Sequence, residues 1–135
     1  MNKEDIINYC LSLKNTYQDM PFPKDFESIV MKHKENKKWF ALLMNVNNKL
    51  YLNIKTEPEY SELLRNSCKY IIPGYHMNKQ HWNTIIVDDC TDFDLLKELI
   101  KETTRSSTIL FITAFGLLFF CSKYGHHLRR LHCRT

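Results

Sequence analysis

Hydrophobic and polar positions recur along the chain in two periods, and each change of period marks a predicted element. Asn2 followed three residues later by Asp5 is a helix-start pattern, with a short side chain to cap and an acid in the first turn. Ile6, Ile7, Cys10, Leu11 and Leu13 then fall near one helical stripe, so this helix covers a sheet. Residues 14–24 are polar and broken by Pro21 and Pro23; they read as a loop with Phe22 turned inward. Three strands follow. Residues 27–33 hold the apolar run Ile29-Val30-Met31, and residues 38–46 form the next run. Asn47-Asn48 predicts a two-residue hairpin, because Asn tolerates positive φ at both central positions. In residues 49–55, Leu50, Leu52 and Ile54 alternate with Tyr51, Asn53 and Lys55, so one face is buried and the other more polar.

Thr56 offers a capping hydroxyl to a second helix, with Glu57 and Pro58 in its first turn and Tyr60, Leu63, Leu64 and Cys68 on its stripe. The short run Tyr70-Ile71-Ile72 is closed by Pro73-Gly74, a turn signal in which Gly74 can take positive φ. Residues 82–87 read as a further strand, interrupted by Asp88-Asp89. Asp92 and Asp94 open a third helix carrying Phe93, Leu95, Leu96, Leu99 and Ile100. The order α-β-β-β-α-β-β-α predicts a two-layer α+β domain over residues 1–104, with an antiparallel sheet of about five strands and helices packed on one face.

Between the last two strands lies a dense polar and aromatic segment. Tyr75, His76, Asn78, Lys79, Gln80 and His81 place donors, acceptors and a fixed positive charge on one loop, as a recognition loop on a rigid sheet would. The phrase Pro73-Gly74-Tyr75-His76-Met77-Asn78-Lys79 with His81-Trp82 resembles the MmcQ/YjbR family of small bacterial proteins. Pro21-Phe22-Pro23, Lys37-Lys38-Trp39-Phe40-Ala41 and the run from Leu50 through Glu59 into Leu63-Leu64-Arg65 agree with it in order. The resemblance covers roughly residues 1 to 102 and stops near Thr103. It implies a CyaY-like sheet flanked by helices, similar to double-wing DNA-binding domains, and a DNA-binding role. Carried onto this chain, the nucleic-acid candidates are Lys34, Lys37 and Lys38 in the first hairpin, with Lys32 beside them, and Tyr75, His76, Asn78, Lys79 and His81 in the loop, with Trp82 next to it. Lysines would meet phosphate, while Asn78 or Tyr75 would reach a base edge or sugar. The bland alternatives are that the lysines are a solvated edge that discourages strand pairing between molecules, and that Trp39 and Trp82 are core residues.

Composition changes the picture little. At 135 residues with 44% hydrophobic and 25% charged positions, the chain fits one soluble globular domain, neither disordered nor fibrous. No signal peptide pattern opens it, so a cytoplasmic location is the default expectation. Cys10, Cys68, Cys90, Cys121 and Cys133 lack any Cys-x-x-Cys pair and read as free thiols.

Charge changes it more. Residues 1–104 carry 13 Lys and one Arg against 15 acids, 14 − 15 = −1, whereas residues 105–135 carry Arg105, Lys123, Arg129, Arg130 and Arg134 with no acid, +5. The sequence pI near 8.8 is therefore a property of the tail and says nothing about nucleic-acid binding by the domain. Residues 109–121 are almost continuously apolar but too short to span a membrane, which takes about 20 residues. Two readings of this apolar-then-basic tail compete. It is a buried or interfacial helix facing anionic lipid, or the reading frame shifts near Thr103 and the end is non-native. The charge arithmetic and the lost family pattern favour the second.

Catalysis at the central loop would use His76 or His81 as general base with Lys79 stabilising an anion. No Ser or Cys stands as nucleophile and no carboxylate is patterned to orient either imidazole, so no catalytic residue is expected and the two histidines are read as tying the loop to the sheet. His76 and His81 also lack a third ligand, and Cys121, His126, His127, His132 and Cys133 lie in the doubtful tail, so neither a metal nor another cofactor is expected. The reading is a non-enzymatic DNA-binding protein with no small-molecule substrate. The alternative is a protein-interaction module, since type III secretion chaperones resemble the same layout and a slightly acidic body suits a protein partner.

Overall fold

The computed structural model describes residues 1–104; the expectations for residues 105–135 lie outside the described residues. Asn2 caps α1 (Lys3–Ser12) by accepting from Asp5 N–H, while the Asp5 carboxylate accepts from Asn2 N–H, a complete capping box. The order then runs β1 (Thr16–Asp19), β2 (Ile29–His33), β3 (Trp39–Val46), β4 (Lys49–Lys55), α2 (Pro58–Ser67), β5 (Ile71–Pro73), β6 (Trp82–Val87) and α3 (Phe93–Thr104). The strands form one antiparallel sheet in the order β1-β2-β3-β4-β6-β5.

One strand more than the expected five or so is present. The extra strand is β1, in the segment read as a loop. Its only fully buried residue is Thr16, so it has no apolar stripe to betray it. Backbone pairing with β2, from Thr16 opposite His33 to Asp19 opposite Val30, defines it instead.

All three helices bury their stripes against one face of the sheet. Ile6, Ile7 and Cys10 of α1, Leu64 of α2 and Leu95, Leu96, Leu99 and Ile100 of α3 share a core with Met31, Ala41, Leu43, Leu52, Ile54, Ile85 and Val87. The next residues along each strand point to the other face. There Val30, Leu42, Asn53 and Thr84 form one cross-strand row, and it is buried too. Asn47 and Asn48 close the β3–β4 hairpin at φ of 51° and 65°, as their sequence predicts. Thr56, by contrast, does not cap α2. The N-cap is Glu57, without a side-chain bond, and the Thr56 hydroxyl turns inward to Ser61 and Asn83. Burial raises the Cys10 thiol to about 12 and also lifts that of Cys68, as expected of inert core thiols. Among the described residues no helix is long and apolar enough to cross a membrane.

Candidate nucleic-acid interface

The register decides which loops meet. Met31 pairs with Ala41, Ala41 with Ile54, Ile54 with Asn83 and Asn83 with Pro73. Beyond this cross-strand line, at one end of the sheet, lie the β2–β3 turn, the start of α2 and the loop of residues 74–81. Lys34, Lys37 and Lys38 therefore stand at the same end as Tyr75, His76, Asn78, Lys79 and His81. With neighbouring strands ~4.8 Å apart, β3 and β6 are separated by about 10 Å. Lys14 and Lys55 join them from the ends of α1 and β4.

Charge is polarised along the strands. The basic end gathers Lys14, Lys34, Lys37, Lys38, Lys55, Arg65, Lys79 and Lys101 against Glu35, Glu57, Glu59, Glu62 and Glu102. The opposite end gathers Glu4, Asp5, Asp25, Glu27, Asp88, Asp89, Asp92 and Asp94 against Lys3, Lys24, Lys49 and Lys69. A net charge of −1 over residues 1–104 conceals this separation.

In the hairpin, Lys34, Lys37 and Lys38 are all exposed. Lys37 takes φ of 59°, Asn36 Oδ1 accepts from Lys38 N–H at 2.9 Å, and Lys34 N–H donates to Asn15 O at 2.8 Å. Backbone ties thus fix the turn while the three ammonium groups remain exposed. Lys32 differs. Its Nζ lies 2.6 Å from Asp19 Oδ2, which holds the Asp19 carboxyl below its usual range and raises Lys32. Beneath the turn, His33 stacks on Phe40 at 4.8 Å, and burial, with a contribution from Lys55 and against Glu35, lowers its pKa.

The loop of residues 74–81 is braced at several points. Gly74 N–H donates to Trp82 O at 2.9 Å, Tyr75 N–H to Thr84 Oγ1 at 2.9 Å, and Lys79 Nζ to Gly74 O at 2.9 Å. Asn78 Oδ1 accepts from Gln80 N–H, closing a local turn, and His81 O accepts from Thr56 N–H. His76 is exposed at φ of 56°, and the Tyr75 ring makes steeply inclined contacts with the rings of Tyr51 and His76, whose centres are 5.6 and 4.2 Å away. The positive φ expected at Gly74 falls on His76. Gly74 is needed for space, because a Cβ there would meet Trp82 Cβ at 2.8 Å.

The sequence reading missed the side chain that anchors this loop. Arg65 of α2 donates through Nε to Asn83 Oδ1 at 2.6 Å, and through its terminal nitrogen to Lys79 O and to Trp82 O. Asn83 in turn donates to Thr56 and Ser61. The only available signal was that Arg65 is the sole arginine before residue 105. An open cleft of about 450 Å³ lies alongside, lined by Pro58, Glu62, Arg65, Asn66, Lys79 and Gln80. Among the described residues no group of three or more His, Cys, Asp or Glu is placed to hold a metal ion.

Comparison with known proteins matches residues 11–103 to the model of the YjbR family. The uncharacterised protein YyaQ of Bacillus subtilis is 38% identical over 113 residues, covering 76% of this chain and 95% of its own. The uncharacterised YjbR of Escherichia coli K12 is 30% identical over 88 residues, covering 65% and 71%. A crystal structure of a Pseudomonas syringae protein superposes with a TM-score of 0.70 at 30% identity, over 76% of this chain and 96% of that one. One from Deinococcus radiodurans, of the DUF419 family, gives 0.65 at 31% identity, over 84% and 79%.

Proposed function

This chain belongs to the YjbR family, and from that premise we propose that it is a non-enzymatic protein that binds DNA through the basic end of its sheet. The observation that supports this is the charge polarity. Two loops encoded some 40 residues apart are brought to one end of the sheet, where bases outnumber acids, while acids outnumber bases at the other. Exposed lysines on a fixed turn supply phosphate contacts, and a braced loop carrying Asn78 and His76 supplies polar groups near them. The sheet flanked by helices on one side is of the kind that the CyaY-like and double-wing resemblance implies.

The test compares two double substitutions that remove equal charge from opposite ends. Duplex DNA with a fluorescent label is titrated at two salt concentrations. Lys37→Ala with Lys38→Ala should weaken binding and make the log-log salt slope shallower by about 2, one per lost phosphate contact. Lys24→Ala with Lys49→Ala should do neither. Equal effects from the two pairs would reduce the binding to net charge and remove the proposed site.

A protein partner remains the second reading, and one observation favours it. Met20, Phe22 and Phe26 in the β1–β2 connection are exposed, Phe26 to 81%. A partner docked there should be lost on Phe26→Ser with little dependence on salt.

A further inference from the structure

Lysines and aromatic rings are interleaved on the sheet face opposite the helices. Lys32 Nζ lies 5.9 Å from the centre of the Tyr17 ring, and Lys32 is the Cα partner of Trp39. Residues directly opposite one another share a face, so Tyr17, Lys32 and Trp39 stand together there. The Trp39 ring meets Phe22 edge-on at 6.0 Å. Across β4, the Tyr51 ring meets Tyr75 edge-on at 5.6 Å, and Tyr75 is tied to Thr84 of the same face. Trp39 and Tyr75 are half-buried. Edge-to-face contacts fix the planes of both rings before any ligand arrives.

We infer that the margin of this face at the basic end of the sheet binds single-stranded nucleic acid, with unpaired bases stacking on Trp39 and Tyr75 while Lys37, Lys38 and Lys55 follow the phosphates. The inference rests on the DNA-binding reading and narrows it to an unpaired strand. In a duplex the base faces are already stacked on one another, so half-buried aromatic plates gain nothing from it. A single strand presents a charge and a free π-face at every nucleotide, the complement of a basic margin with rings between the lysines. The middle of this face is closed, because Val30, Leu42, Asn53 and Thr84 are buried there, so the strand would follow its margin, where Lys37, Lys38 and Lys55 are exposed and Trp39 and Tyr75 are half-buried.

The test uses the full chain with labelled oligothymidylate of about 10 nucleotides, within the usual site sizes, and a duplex of equal length. The single strand should bind more tightly than the duplex and quench tryptophan emission, since Trp39 is half-buried whereas Trp82 is buried. Trp39→Leu and Tyr75→Leu should each weaken single-strand binding about 5-fold to 100-fold with the salt slope unchanged. Should Trp39→Leu not fold by circular dichroism, Tyr75→Leu and the quenching of the unmodified chain decide the matter. Duplex bound as tightly as single strand, without quenching, overturns the inference and leaves the DNA reading standing. Single-strand binding that Lys37→Ala with Lys38→Ala leaves untouched, or no binding of either DNA at low salt, overturns both.

Discussion

A methyl group added at Gly74 would come within 3.0 Å of Trp82 O and of Met77 Cβ, as well as 2.8 Å from Trp82 Cβ. Two of these atoms belong to the β6 start on which the loop rests, so Gly74→Ala should cost about 1–3 kcal/mol, as overpacking does, read from urea unfolding. Arg65 holds the same loop from the other side. Replacing it with Met strands Asn83 Oδ1 and two carbonyls, and losing charge-assisted bonds at a half-buried site predicts a cost of about 2–3 kcal/mol. Lys79→Met, which removes one bond from an exposed residue, should cost about 1 kcal/mol or less. None of this was legible beforehand, because Gly74 and Arg65 act through neighbours that only the tertiary fold supplies. His33 gives a pH signature. Burial holds its folded-state pKa below its ordinary value near 6.5, so the unfolded chain takes up the proton more readily. The stability tied to this residue is complete above about pH 6.5 and is lost as pH falls from there through the lower folded pKa. His33→Gln should flatten stability against pH between about 5 and 7 relative to the unmodified chain; unchanged curvature would show that His33 is not the titrating group.

At the scale of elements, legibility followed the strength of the local signal. The Asn47-Asn48 hairpin was readable because two residues tolerant of positive φ sit between alternating runs, and both take that conformation. Asn47→Ala and Asn48→Ala should each destabilise by about 1 kcal/mol, the left-handed penalty for a residue whose side chain cannot compensate, seen as a lower Tm. The α1 capping box was equally explicit. β1 was hidden for the converse reason. Tyr17, Gln18 and Asp19 carry no apolar period, and the strand exists because its backbone completes the edge of β2 while Lys32 reaches across to Asp19. Thr56 looked like a cap because Glu57 and Pro58 follow it; a buried polar cluster with Ser61 and Asn83 outcompeted that local role. Of the candidate site, the exposed hairpin lysines could be found from sequence. The involvement of Asn78 and Lys79 in holding their own loop could not.

For the whole molecule, the property that matters most is the one that summed charge obscures. Residues 1–104 total −1 while residues 105–135 add +5, so net charge alone would assign any polyanion binding to the tail. The polarity of the sheet makes a different prediction. The core contains residues from Ile6 to Ile100 and the family match ends at residue 103, so a chain ending at Thr104 should keep its cooperative unfolding transition. It should also bind DNA at low salt despite its negative total, because affinity follows the local concentration of lysines on one surface rather than the sum over all of them. Removing the tail should leave a slope that Lys37→Ala with Lys38→Ala reduces further. If the shortened chain folds and no longer binds, the +5 segment carries the interaction, and the basic end of the sheet is a solvated edge whose lysines keep neighbouring molecules apart.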